Sequence, residues 1–204
     1  MPYAILALAF VLAPALLSNP AQGQIGNPGF MMPDTGFDEE GLPLPHQTNA
    51  EDRLFAILTA EGNLAEIQLG ELAAEKAEAE AVREFAQRMV EDHTTAGEEL
   101  AAIAEESSVP LPEELNAEHQ AMLQELEQLD GADFDLAYMR GQLVDHQKTT
   151  QLLLWEITLG QDAALQRFAA GALPQIIEHL EQARTILGQM TQTPLAVSAP
   201  PPED

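Results

Sequence analysis

The chemistry available to this chain is concentrated in imidazole and carboxylate. It has 5 His, 34 Asp plus Glu and no Cys, so thiolate metal sites, Fe–S clusters, disulfides and cysteine catalysis are excluded. Three of the histidines sit inside apolar runs that step by three or four residues. These runs are Val82, Phe85, Met89, His93, Ala96, Leu100, Ile103, then Leu136, Met139, Leu143, His146, Thr150, Leu153, Ile157, and last Leu165, Phe168, Ala172, Ile176, His179, Ala183, Ile186, Met190. A period near 3.6 puts each imidazole on the inward stripe of a helix.

A buried imidazole has two nitrogens that need partners. A single inward His is ordinarily a hydrogen-bonded core residue. Three on separate helices at similar depth can donate to one centre, as helix bundles do for metals. The first helix offers a carboxylate as well: Glu66 lies in the register Phe55, Leu58, Gly62, Glu66, Leu69, Ala73, and Glu61 lies beside a neighbouring stripe. Three imidazoles and one carboxylate suit a single transition-metal ion, Zn(II), Cu(II), Fe(II) or Mn(II). The expected ligands are therefore His93, His146, His179 and Glu66, with Glu61 as the alternative carboxylate. Asp92, Asp145 and Glu178 immediately precede the three histidines. Neighbours on a helix point about 100° apart, so these acids read as supporting partners or as surface charge. His46 and His119 read as solvated.

The spacing also excludes chemistry. The residues three before the histidines are Val90, Leu143 and Ile176, so the Glu-x-x-His motif of di-iron bundles is absent. No Ser/His/Asp grouping stands at a recognisable spacing. The open coordination position and substrate access that a catalytic metal requires are not legible here. The rival to metal binding is structural: a buried histidine network in an envelope protein that acts through its acidic surface.

The elements that must position these side chains follow from composition and punctuation. The chain has 204 residues, 46% hydrophobic, and a formal net charge of -26 from only 8 Lys plus Arg. That balance excludes a nucleic-acid binder and argues against docking on an anionic bilayer; it favours solubility and basic partners. Residues 2–17 are almost wholly apolar but too short to span a bilayer and broken by Pro14, and Ala21-Gln22-Gly23 fits a cleavage site. Residues 1–23 thus read as a signal peptide, without the usual basic residue ahead of the apolar run, and the mature protein as exported, periplasmic or secreted, with no membrane span. Residues 24–47, rich in Gly, Pro, Asn and Met, read as a flexible linker, residues 48–191 as one helical domain, and residues 192–204 as a disordered Pro-rich tail.

Within the domain, Thr48-Asn49-Ala50-Glu51 suggests a capping box opening a helix that runs to about Lys76. A second helix begins near Glu80, although no Gly or Pro marks the break. The apolar stripe of the first helix, carrying Leu54, Phe55, Leu58, Leu69 and Leu72, would meet Lys76, Glu80 and Arg83 if continued, which argues for two helices. Ser107 to Pro112 stops the second. A shorter helix over about Glu113–Leu129 precedes a third long one, from about Asp133 to Leu159. Gly160 as C′ residue and Asp162 as N-cap then make a tight hairpin to a last helix, Ala163 to Met190, which Pro174 should bend. The long connection between the second and third long helices can travel the length of a bundle. The fold expected is all-α, a ferritin-like four-helix bundle with a short extra helix in the crossover; the rival is a plain up-down bundle.

The segment from Ala60 to Gly70 (AEGNLAEIQLG), the run Phe85 to Thr94 (FAQRMVEDHT), Phe134 to Tyr138, Asp145-His146, and Leu173-Pro174 with Glu178-His179-Leu180 together resemble the bacterial domain-of-unknown-function family 4142, over about residues 50–190. The resemblance implies a ferritin-like bundle behind an export signal and no established biochemical role. Its motif positions fall on Glu66, Asp92, His93, Asp145, His146, Glu178 and His179. The "outer membrane" label often attached to that family gains no support from these residues, which contain no alternating strands of about ten residues.

Overall fold

The computed structural model describes residues 44–192. Among the described residues there are five helices and no strand: α1 (Ala50–Lys76), α2 (Glu80–Glu106), α3 (Ala117–Glu127), α4 (Gly131–Leu159) and α5 (Ala163–Gln192). The signal peptide expected over residues 1–23, the linker up to residue 43 and the tail from residue 193 lie outside the described residues.

Hydrogen bonds between helices establish the topology. Asp52, at the start of α1, accepts the N–H of Gln161, just past α4, at 2.8 Å. The other ends meet as well: Asp135, near the start of α4, accepts the N–H groups of Glu78 (3.1 Å) and Ala79 (2.8 Å), just past α1. α1 and α4 are therefore antiparallel. α1 is antiparallel to α2 across their short turn, so α2 and α4 run parallel, and residues 107–130 carry the chain from one end of the bundle to the other. Two hairpins joined by one long crossover is the ferritin-like connectivity; the up-down alternative is excluded.

The core is divided. One apolar cluster holds Leu69, Phe85, Met89, Phe134 and Tyr138, and the other holds Phe55, Leu100, Leu153, Leu165 and Phe168. Between them lies a buried polar belt with one contribution or more from each long helix: Thr59, Asn63 and Glu66 on α1, His93 on α2, Gln142 and His146 on α4, and His179 on α5.

Several local expectations are corrected. The capping box of α1 is Asn49 with Asp52, not Thr48 with Glu51: Asn49 Oδ1 accepts the Asp52 N–H at 2.9 Å and Asp52 returns the bond at 2.8 Å. Leu54 and Leu58, expected inside, are 50% and 41% exposed. The buried face of α1 is instead built on Phe55 with Ala56, Thr59, Ala60 and Asn63, and the smaller of these let α1 sit close to two neighbours at once. Gly70 shows the same closeness, since a Cβ there would stand 2.9 Å from Val90 Cγ2 and 3.1 Å from the Ala86 carbonyl oxygen. α3 starts at Ala117 because Asn116 caps it, accepting the His119 N–H at 2.9 Å. Gly160 is not left-handed (φ -62, ψ 151); glycine is required there because a Cβ would stand 2.6 Å from the Glu156 backbone carbonyl oxygen. Asp162 does cap α5, accepting from Ala164 N–H at 2.8 Å. α5 continues through Pro174 as one helix.

The unpunctuated break between α1 and α2 has a tertiary cause. Ala77 and Ala79 are extended, and the N-terminus of α2 has no cap of its own. The Asp135 carboxylate of α4 fixes the turn ahead of it, accepting the Glu78 and Ala79 N–H groups, while Arg83 donates to the Glu78 carbonyl at 2.9 Å.

Candidate metal centre

His93, His146 and His179 meet in the polar belt, and one ring nitrogen of each lies within 4.8 Å of those of the other two. Their ring centroids are 5.3 to 5.7 Å apart, and all three side chains are buried. Each ring has one nitrogen tied to an oxygen. His93 Nδ1 donates to Asn63 Oδ1 at 2.9 Å, His146 Nδ1 to the Gln142 carbonyl at 3.0 Å, and His179 Nε2 to Asp92 Oδ2 at 2.8 Å. In a neutral imidazole the other nitrogen then carries a lone pair and no hydrogen. Those nitrogens are His93 Nε2, which has no protein partner, and His146 Nε2 and His179 Nδ1, which face each other at 3.3 Å.

Burial keeps the rings neutral. It holds His93 well below the usual imidazole range, reinforced by the other two rings, and it also lowers His146. Burial takes His179 down to about 4, against the opposing pull of Asp92. Metal ligation requires neutral imidazole, so the set is in the ligating state at neutral pH. Two nitrogens bound to one ion at 2.0–2.1 Å in tetrahedral geometry stand about 3.3 Å apart, which matches the His146–His179 separation.

The carboxylates fall elsewhere than expected. Glu66 lies behind His146, its Oε1 3.6 Å from the Nδ1 that faces away from the other rings, and its Oε2 accepts from Gln142 Nε2 at 2.7 Å. It surrounds the cluster without joining it. Burial pushes its carboxyl up to about 8, so it is largely protonated at neutral pH. Glu61 points to the crossover, accepting from Asn116 Nδ2 at 3.0 Å. Of the three acids that precede the histidines, only Asp92 supports the cluster, and it serves His179 on another helix, not its neighbour His93. It is also paired with Arg88 at 3.1 Å, and Arg88 reaches Glu178 at 3.0 Å on the surface. Asp145 pairs with Lys148 at 3.5 Å.

Sequence reasoning missed Asn63 and Gln142, which orient His93 and Glu66. The available signal was an amide inside a helix where the apolar stripe should run, since Asn favours caps and turns over helix interiors. His46 is part-exposed, and its ring rests on the end of α2, 3.1 Å from Ser107 Oγ and 2.8 Å from Glu106 Oε2. His119 is half-buried, with an Nδ1 that has no protein partner.

A family model described as a domain of unknown function, DUF4142, matches residues 41–186. The chain belongs to the DUF4142 family. Two solved structures share its bundle. One is a DUF305 fragment from Deinococcus radiodurans, with TM-score 0.63 and 15% identity, covering 70% of this chain and 98% of that one. The other is a DUF305 protein from Streptomyces coelicolor, with TM-score 0.60 and 13% identity, covering 69% and 92%. At such identities the likeness shows the fold alone. No curated protein matches this DUF4142 chain. Among the described residues no helix is long and apolar enough to cross a membrane.

Proposed function

We propose that this DUF4142 protein binds one transition-metal ion in its core through His93, His146 and His179, and serves metal handling or protection from metal stress in an exported compartment. The observation that carries the reading is the approach of His146 Nε2 and His179 Nδ1 to 3.3 Å, each on the side of its ring away from the oxygen that holds its other nitrogen. Two lone pairs at that distance in a dry core repel unless a cation or a proton lies between them. The three outward nitrogens are each held by a fixed oxygen, the usual support of metal-binding histidines. An all-imidazole set favours Cu(II) and Zn(II) over Mn(II). The apolar segment 2–17 supports export.

The test starts from protein stripped with a chelator and re-equilibrated with Zn(II) or Cu(II). Elemental analysis should find one ion per chain. Free metal at a hundred times its dissociation constant stabilises the fold by about 2.7 kcal/mol, a melting shift of about 5–10 °C for a domain of this size. His146→Leu should abolish both effects. A protein that takes up no metal and melts unchanged overturns the proposal.

A second reading has its own support. The same 3.3 Å contact needs only one hydrogen to become an ordinary bond, and Glu66, His146, His179 and Asp92 then form one continuous network that leads from the core to the half-buried Asp92. The bundle would act as an envelope protein through its acidic surface. In that case His146→Leu changes stability and leaves metal content at background.

A further inference from the structure

The three rings lie inside the bundle, and the polar groups around them differ in their reach toward solvent. Asn63, Glu66 and Gln142, on the α1 and α4 side, are buried. Asp92, on the α2 and α5 side, keeps 20% of its side chain exposed, while its Oδ2 holds His179 Nε2 at 2.8 Å. Two spaces follow one another along this α2–α5 seam. The inner one, of about 20 Å³, has Asp92, His93 and His179 in its walls and room for about one water. The outer one is a groove of about 540 Å³, with Glu84, Glu178 and Glu181 in its walls and Arg88 as its single cation.

Arg88 joins the two spaces. Its Nε donates to Asp92 Oδ2 at 3.1 Å and its Nη1 to Glu178 Oε1 at 3.0 Å. One guanidinium thus ties α2 to α5 and links the wall of the inner space to the wall of the groove. In this closed arrangement a positive charge lies at the mouth and neutralises two carboxylates that otherwise attract a cation. The inner space is also too small for an ion that keeps its shell of waters. The bridge opens readily, because Glu178 is exposed, Arg88 is half-exposed, and ion pairs in contact with water are weak.

Resting on the metal reading above, we propose that the ion enters and leaves along the α2–α5 seam, and that the Arg88 bridge to Asp92 and Glu178 is the gate on this route. When the guanidinium swings out, Asp92 and Glu178 become two free carboxylates between the acidic groove and His179. A divalent cation then meets oxygen donors on its way to the imidazoles.

The experiment measures Zn(II) exchange by stopped flow at fixed salt. Association is followed as stripped protein takes zinc from a weak fluorescent chelator, and release as loaded protein gives it up to excess 4-(2-pyridylazo)resorcinol. Arg88→Met removes the whole bridge, and Glu178→Gln removes only its arm to α5. Each should speed association and release together, at least threefold. A merely supporting role for Asp92 and His179 would instead raise release alone. Glu181→Gln removes a groove charge outside the bridge and should speed neither rate. Gly62→Leu narrows the separate cavity between α1 and α4, where a Cβ meets nothing within 4 Å, and should not slow exchange. In protein that holds one zinc, bridge variants with less than a threefold rise, or a rise in one rate alone, overturn this inference. So does acceleration by Glu181→Gln or slowing by Gly62→Leu, and in all these cases the metal reading stands. Failure of the parent to hold zinc at all overturns both.

Discussion

Glu156→Gln should change how stability depends on pH, by an amount the structure sets. Glu156 stands at the α4–α5 corner, fully buried together with Asp52 of α1 and Asp162 of the turn. Burial, then the charges of Asp52 and Asp162, pushes its carboxyl from 4.5 up to about 9. The folded protein therefore keeps a proton that the unfolded chain releases above about pH 4.5. Each pH unit within that window removes 1.36 kcal/mol of stability per retained proton. The contribution is complete below pH 4.5 and drains away as pH rises toward 9. Over the roughly 2.5 units between pH 5.5 and pH 8, the group costs about 3 kcal/mol. Glutamine has the same shape and nothing to titrate, so Glu156→Gln should gain about 3 kcal/mol more over the parent at pH 8 than at pH 5.5. The assay is urea unfolding followed by helical circular dichroism at both pH values, in chelator to remove any contribution from metal. Glu66, pushed up to about 8, titrates in both proteins and cancels in the difference. Parallel profiles for the two proteins, or a difference below about 1 kcal/mol, would show that Glu156 is ionised in the fold and would refute the reasoning.

The other predictions concern the positions that hold the helices and the rings. Asp135→Ala leaves the Glu78 and Ala79 N–H groups without their buried carboxylate and should cost about 3 kcal/mol by urea unfolding; a loss under about 1 kcal/mol means that Asp135 does not hold the α1–α2 turn. Gly70→Ala forces Val90 or the Ala86 carbonyl to move and should cost about 1–3 kcal/mol, whereas Gly171→Ala, where a Cβ meets nothing within 4 Å, should gain about 0.5–1 kcal/mol; a stable Gly70 variant would mean that α1 and α2 separate at little cost. Asn63→Ala removes the acceptor that orients His93 and should weaken metal binding 10–100-fold by competition titration, with one ion per chain retained at saturation. An unchanged affinity would show that His93 needs no such support.

What the amino-acid sequence determined alone is what helix periodicity determines. The 3.6-residue period placed His93, His146 and His179 on inward stripes, and each lies buried in the same belt. Punctuation located the long helices within a residue or two, because caps and Pro-rich stops act over a few neighbours. The four-helix architecture was legible for the same reason, while the DUF4142 family was read from a resemblance of the motifs around Glu66, His93, His146 and His179. What depended on tertiary structure was everything set by the rotation of one helix against another. Of the α1 register Phe55, Leu58, Gly62, Glu66, Leu69 and Ala73, Leu58 proved exposed while Phe55, Glu66, Leu69 and Ala73 are buried; which of these side chains meets a histidine was set by docking, which puts Asn63 on His93 and Glu66 behind His146. The α1–α2 turn is held by Asp135, 56 positions from the Ala79 it serves. No local pattern encodes such a pairing, since it exists only once α4 has docked on α1. Likewise the free nitrogen of each histidine is chosen by an oxygen facing the other side of its ring, supplied by another helix for His93 and His179, and the cavity beside His93 is a space between elements that no single element describes.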